Sequence, residues 1–118
     1  MHMQTLFQHG LELINQGSYF QAHDVLEDVW REVRDDRRPF YQGVVQVAIA
    51  MHHFSQSNLA GAQSVLAKAI RNLESYPDNF CGIDLGDLRR QLAEWRSAMA
   101  KGGPYPEPVR VRPLQTGC

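Results

Sequence analysis

From Pro39 to Phe54 the chain reads Pro-Phe-Tyr-Gln-Gly-Val-Val-Gln-Val-Ala-Ile-Ala-Met-His-His-Phe. Wound as a helix, this segment is apolar nearly all round, and such a helix must be enclosed by others. A strand is the rival reading for Val44 to Ile49, because β-branched residues favour sheets. The length of the segment and the lack of a partner strand favour helix. With 118 residues the chain holds one core of moderate size, so this helix is expected at its centre.

Four further helices can be placed around it. The first runs from about Gln4 to Asn15, with Leu6, Phe7, Leu11, Leu13 and Ile14 mostly on one side and Gly17 as its stop. Ser18 can cap a second that continues to about Val33. The charged turn Asp35-Asp36-Arg37-Arg38 leads to Pro39, which suits a first helical turn. Ser57 or Asn58 opens a fourth helix to about Glu74, and Tyr76 to Gly82 reads as a loop. Asp84 or Gly86 opens a fifth, with Leu88, Leu92, Trp95 and Met99 inward. The expected fold is all-α: a compact bundle of about five helices built from hairpins, occupying residues 1–103. Residues 104–118 form an extended Pro-rich tail, read first as a strap over the helices or a loose end and second as a partner-binding arm.

Tyr19-Phe-Gln-Ala22…Val25-Leu26 has an echo forty residues on, Leu59-Ala-Gly-Ala62…Val65-Leu66. With Gly17-x-Tyr19-x-x-Ala22, this resembles the helical hairpins of tetratricopeptide-type repeats. Two hairpins are too few for a solenoid, so a compact bundle is expected.

Composition excludes several function classes. A net charge of −1 does not favour nucleic acid or an anionic membrane as partner. No apolar run has the ~18 residues of a membrane span. The N-terminus lacks the basic-then-apolar pattern of a secretory signal. Cys81 and Cys118 lack metal-type spacing, so a reduced, cytoplasmic protein is expected. There is no glycine-rich phosphate loop, nucleophile elbow or activated-cysteine context.

The chemistry-bearing residues lie on the second and third helices. His23, Glu27, Trp30 and Arg31 fall at i, i+4, i+7 and i+8, one face where core leucines would normally sit. Gln42, Gln46 and His53 form a second polar line on the apolar helix. If these helices are antiparallel neighbours, the lines can face each other, with Trp30 or Arg31 near Gln42 and His23 near His53. Three chemistries fit. His23, Glu27 and His53 make a two-histidine, one-carboxylate set for a divalent metal ion, with Gln46 behind it. Alternatively, His23 and Glu27 are a catalytic acid/base pair, with Trp30, Arg31, Gln42 and Gln46 lining a ligand site. In the third, Glu27 accepts from His23, Trp30 and Gln46, and the cluster is a buried hydrogen-bond network that fixes helix register. Taken singly, Trp30 and Trp95 read as core aromatics, Arg31 as the ion-pair partner of Glu27, and Arg89-Arg90 as a solvated face.

The motifs Asn15-x-Gly17-x-Tyr19-Phe20-x-Ala22-His23-Asp24-Val25-Leu26-Glu27-x-x-Trp30, Phe40-Tyr41-Gln42-Gly43-Val44-Val45-Gln46-Val47-Ala48-x-Ala50-x-x-His53 and Asn58-x-x-Gly61-Ala62 are spread over residues 5–75. Together they resemble domain of unknown function family 309, small all-helical prokaryotic proteins. The resemblance implies a compact helical fold and shared positions at His23, Glu27, Trp30, Gln42, Gln46 and His53. It implies no activity. Ser57-Asn58 stands where Gly-Asn is expected.

Two functional readings stay open. One is a metal- or small-ligand-binding protein, at its most concrete a hydrolase using metal-bound water. The other is a non-catalytic interaction module or a self-associating structural protein, with Val44, Val47, Ala48 and Met51 able to serve a homodimer if uncovered.

Overall fold

The apolar segment is a helix, and most of its circumference is covered, with Gln42, Gln46, Ile49 and His53 left half-buried along one stripe. A computed structural model describes residues 3–114. Its five helices are α1 (Met3–Asn15), α2 (Tyr19–Glu32), α3 (Arg38–Ser55), α4 (Leu59–Leu73) and α5 (Leu85–Lys101). α3 packs against α2 on one side and α4 on the other, while α1 packs on α2 and α5 on α4. Phe40, Tyr41, Gly43, Val44, Val45, Val47, Ala48, Ala50 and Met51 of α3 are all buried. The all-α expectation is met. The dimer face is not available, because Val44, Val47, Ala48 and Met51 lie in the core of the chain itself.

α3 and α4 meet closely at Gly43, where a Cβ would stand 2.7 Å from the Leu73 side chain. Arg38 opens α3 one residue earlier than expected, with Pro39 in the first turn. Its start is held by Tyr76, whose hydroxyl donates to the Asp36 carbonyl at 2.7 Å and accepts from the Phe40 N–H at 3.2 Å. The second contact satisfies an N–H that a helix start leaves open.

The forty-residue echo is a structural repeat. After α1, the Gly17 N–H donates to Ile14 and the Ser18 N–H to Leu13, both at 2.9 Å. After α3, Ser57 donates to Phe54 at 3.1 Å and Asn58 to His53 at 2.9 Å. Each pair is a Schellman closure, which needs its first residue in the left-handed region. Gly17 is there at φ +78°, and Ser57 at +59°. The next residue starts the following helix: the Asn58 side chain accepts from the Gly61 N–H, whereas the Ser18 side chain makes no cap bond. Ala22 and Ala62, and Leu26 and Leu66, are buried at matching positions.

Between α4 and α5 the expected loop contains a short antiparallel pair, β1 (Asn79–Phe80) and β2 (Ile83–Asp84). Arg89 is not part of a solvated face. Its guanidinium donates to the carbonyls of Leu73 and Tyr76 and pairs with Asp78, so it closes the C-terminal end of α4. Arg90 is exposed as expected, paired with Asp87. Cys81, expected to be reduced, is disulfide-bonded; Cys118 lies outside the described residues.

Residues 104–114 lie extended against the helices. Val109 and Val111 are buried, and the strap reaches β2 through a bridge between Ile83 and Pro113.

Two measurements follow from these elements. A serine in the left-handed region carries a steric cost of about 1 kcal/mol that glycine avoids. Ser57→Gly is therefore expected to raise stability by about that amount in a urea titration, with unchanged helix content. Burial also pushes the Tyr41 hydroxyl above its ordinary 10.0. A proton held more tightly in the folded chain gives stability that is complete below pH 10 and lost as pH rises through the raised value. Absorbance titration is expected to show tyrosines that ionise late, together with the onset of alkaline unfolding.

Candidate functional site

α2 carries His23 and Glu27 one turn apart, and the fold leaves both half-buried at the surface. Their side chains retain 26% and 29% of their exposure, and Arg31 retains 64%. Among the described residues no polar or charged side chain is fully buried, so the expected buried cluster is a surface strip instead. His23 Nε2 lies 3.3 Å from Glu27 Oε2, and Arg31 donates to Glu27 Oε1 at 2.8 Å. His23 Nδ1 lies 3.6 Å from Asp24. Glu27 is thus held between an imidazole and a guanidinium on its own helix, as i,i+4 spacing dictates.

α3 does not complete the cluster. Gln46 Oε1 accepts from the side-chain amide of Asn72 at 2.8 Å, which turns it toward α4. His53 sits in the last turn of α3, with Nδ1 3.3 Å from the Asn58 amide nitrogen at the start of α4. Gln42 is half-buried and has no hydrogen-bond partner among the described residues. The network joining Glu27 to His23, Trp30 and Gln46 is therefore not formed. Nor is there, among the described residues, a group of three His, Cys, Asp or Glu side chains placed to hold a metal ion. His23 and Glu27 come together; His53 does not join them as a third ligand.

Trp30 is only half-buried. The Arg38 guanidinium lies over its ring at 4.6 Å and donates to the Val33 carbonyl at 2.8 Å. This cation–π contact and carbonyl bond close the end of α2 across the turn to α3. The indole N–H of Trp30 is buried with no acceptor among the described residues, as is that of Trp95. On the same turn Arg37 donates to the Asp35 carboxylate, which holds its pKa below the usual value.

One grouping was not anticipated. Phe20 is 59% exposed, and its ring centroid lies 5.5 Å from His52 and 6.3 Å from His23. His52 is the imidazole that α3 brings toward this end of α2. The available signal was the i,i+3 spacing of Phe20 and His23, which places both on one face. The patch of Phe20, His23 and His52 adjoins Asp24, Glu27 and Arg31, so it joins an apolar ring to titratable groups of both signs.

Comparisons with known proteins give a family and no activity. The family described as Domain of unknown function (DUF309) matches residues 7–65. An uncharacterized protein of Aquifex aeolicus is 34% identical over 91 residues, which is 76% of this chain and 27% of that protein. The uncharacterized protein YpuF of Bacillus subtilis is 30% identical over 106 residues, 85% of this chain and 61% of that one. The chain belongs to the DUF309 family. It spans about a quarter of the first relative and about three fifths of the second. No helix among the described residues is long and apolar enough to cross a membrane.

A half-exposed ion pair contributes little because water screens it and two side chains lose freedom in forming it. Glu27→Ala is accordingly expected to cost less than about 1 kcal/mol in chemical denaturation. A loss of several kcal/mol would instead reveal donors stranded by the missing carboxylate.

Proposed function

We propose that this chain is a non-catalytic helical interaction module, and that the Phe20, His23 and His52 patch with its flanking charges is one of its contact surfaces. The observation that carries the reading is the fate of the expected site residues. His23 and Glu27 are satisfied by neighbours on α2, Gln46 by Asn72, and His53 by Asn58. Side chains satisfied in separate local pairs do not converge on a reacting atom, as general acid/base or metal chemistry requires. A repeat-like pair of hairpins is a scaffold suited to presenting surfaces. In the Aquifex relative the matched region is a small part of a longer chain, as expected of a module used beside other segments.

The metal-binding alternative draws on the same His23–Glu27 pair, which supplies two ligands and needs a third from elsewhere. Isothermal titration with zinc or manganese separates the two readings. The module reading expects no saturable one-to-one binding that is lost in His23→Ala. Stoichiometric binding removed by that substitution would overturn it.

For the contact surface itself, Phe20→Ser combined with His52→Ser is expected to leave the melting temperature within about 3 °C, since both are surface changes. The double variant is expected to lose the cross-links that a photoreactive group at Gln21 forms with a partner in cells. Unchanged cross-linking would remove the patch from the proposal.

A further inference from the structure

α1 and α5 barely touch each other directly, and the strap lies between them. Its contacts come from the odd-numbered helices and from the β2 segment. Gln8, Leu11, Glu12 and Asn15 of α1 border Val111 and Pro113. Phe54 of α3 packs on Tyr105 at 4.7 Å, and Trp95 of α5 stacks on the same ring at 5.8 Å. The three helices therefore form a groove, and an extended peptide fills it.

The hydrogen bonds in this groove are to the strap's backbone, and one strap side chain adds an ion pair, Arg112 Nε lying 3.8 Å from Asp87 Oδ2 of α5. Asn15 accepts from the Val111 N–H at 2.7 Å and donates to the Val111 carbonyl at 2.9 Å. Gln91 accepts from the Arg110 N–H at 3.0 Å and donates to the Arg110 carbonyl at 2.7 Å. The Asp84 N–H donates to the Arg112 carbonyl at 2.9 Å, and the Gly82 carbonyl accepts from the Leu114 N–H at 2.7 Å. Two side-chain amides thus copy the pairing of a neighbouring strand, and the β2 segment supplies a real one. Val109 and Val111, two apart in the extended chain, turn inward and are 1% exposed. The intervening Arg110 is exposed, and no described carboxylate pairs with it.

We infer that the α1/α3/α5 groove is a binding site for an extended peptide segment of a partner protein, held closed in this chain by residues 104–114 as a built-in occupant. The required chemistry follows from the contacts. Backbone recognition tolerates many sequences, and alternate inward pockets select them. The partner segment must carry small β-branched or similar apolar residues at two alternate positions, with no restriction on the residue between. The inference deepens the interaction-module reading and concerns a surface separate from the Phe20 patch. Its test uses a synthetic peptide, so failure here leaves that patch and its cross-linking test untouched.

The probe is a fluorescently labelled peptide of residues 104–114, Pro-Tyr-Pro-Glu-Pro-Val-Arg-Val-Arg-Pro-Leu, added to the full chain with a thiol reductant because Cys81 is disulfide-bonded. In wild type the resident strap competes. In a Val109→Ser/Val111→Ser chain that competition is weakened while the groove is unchanged. The double variant is expected to bind the peptide at least ~10-fold more tightly than wild type, since the bound state no longer has to displace a tight occupant. A peptide carrying the same two serines is expected not to bind. Absence of binding to a folded variant would overturn the inference.

Hydrogen exchange on wild type gives a second measurement that does not depend on the variant folding. If the strap releases locally, the amides of Arg110, Val111 and Leu114 exchange ~100-fold or more faster than those of Val47 and Ala48 in α3. Exchange of both sets at one common slow rate would make the strap a permanent part of the core and overturn the inference. A dimer with exchanged straps at assay concentration would also overturn it, by giving the groove to a second copy.

Discussion

The burial of most of the circumference of α3 is the constraint from which the rest of the structure follows. A helix with apolar residues around its whole circumference must be surrounded, and one neighbour covers only a stripe. α2 and α4 therefore lie along it, with α1 and α5 outside them. The seam left between α1 and α5 is filled by the strap, whose two valines join the same core. With no polar side chain fully buried among the described residues, the core is held by apolar packing, and hydrogen bonds do their work at helix ends.

Those ends show one device used twice. The left-handed residue, Schellman closure and following helix recur at Gly17 and at Ser57. The repeat explains why the motif residues around both turns look alike: Ala22 and Ala62 each permit close packing at the start of a second helix. It also explains why Asn58 is doubly employed, capping α4 and contacting His53. His53, which resembles part of a chemical site from sequence, is here part of that turn.

The polar residues on α2 and α3 teach the same lesson in energetic terms. Helical spacing correctly joined His23 to Glu27 and Glu27 to Arg31, because i,i+4 proximity is a local property. It could not tell whether the strip was buried. That depended on how far α2 is rotated about its own axis against α3, which is set by Leu26, Val29 and Ala22 packing inward. With these three in the core, His23 and Glu27 fall at its margin. The same rotation brings His52 rather than His53 to the Phe20 ring.

The sequence by itself determined the five helices, their order, the central place of α3 and the Gly17 and Asn58 turns. Each follows from local periodicity, from the left-handed preference of glycine, or from the need to bury an apolar surface. Only the tertiary structure decided that the polar strip is superficial, that Gln46 turns to Asn72, and that Arg89 closes α4. It also decided that Asn15 and Gln91 grip the strap's backbone, across separations of 96 and 19 residues. Such contacts have no periodic signature. A side-chain amide that pairs with a distant backbone leaves no mark on the spacing of its own neighbours.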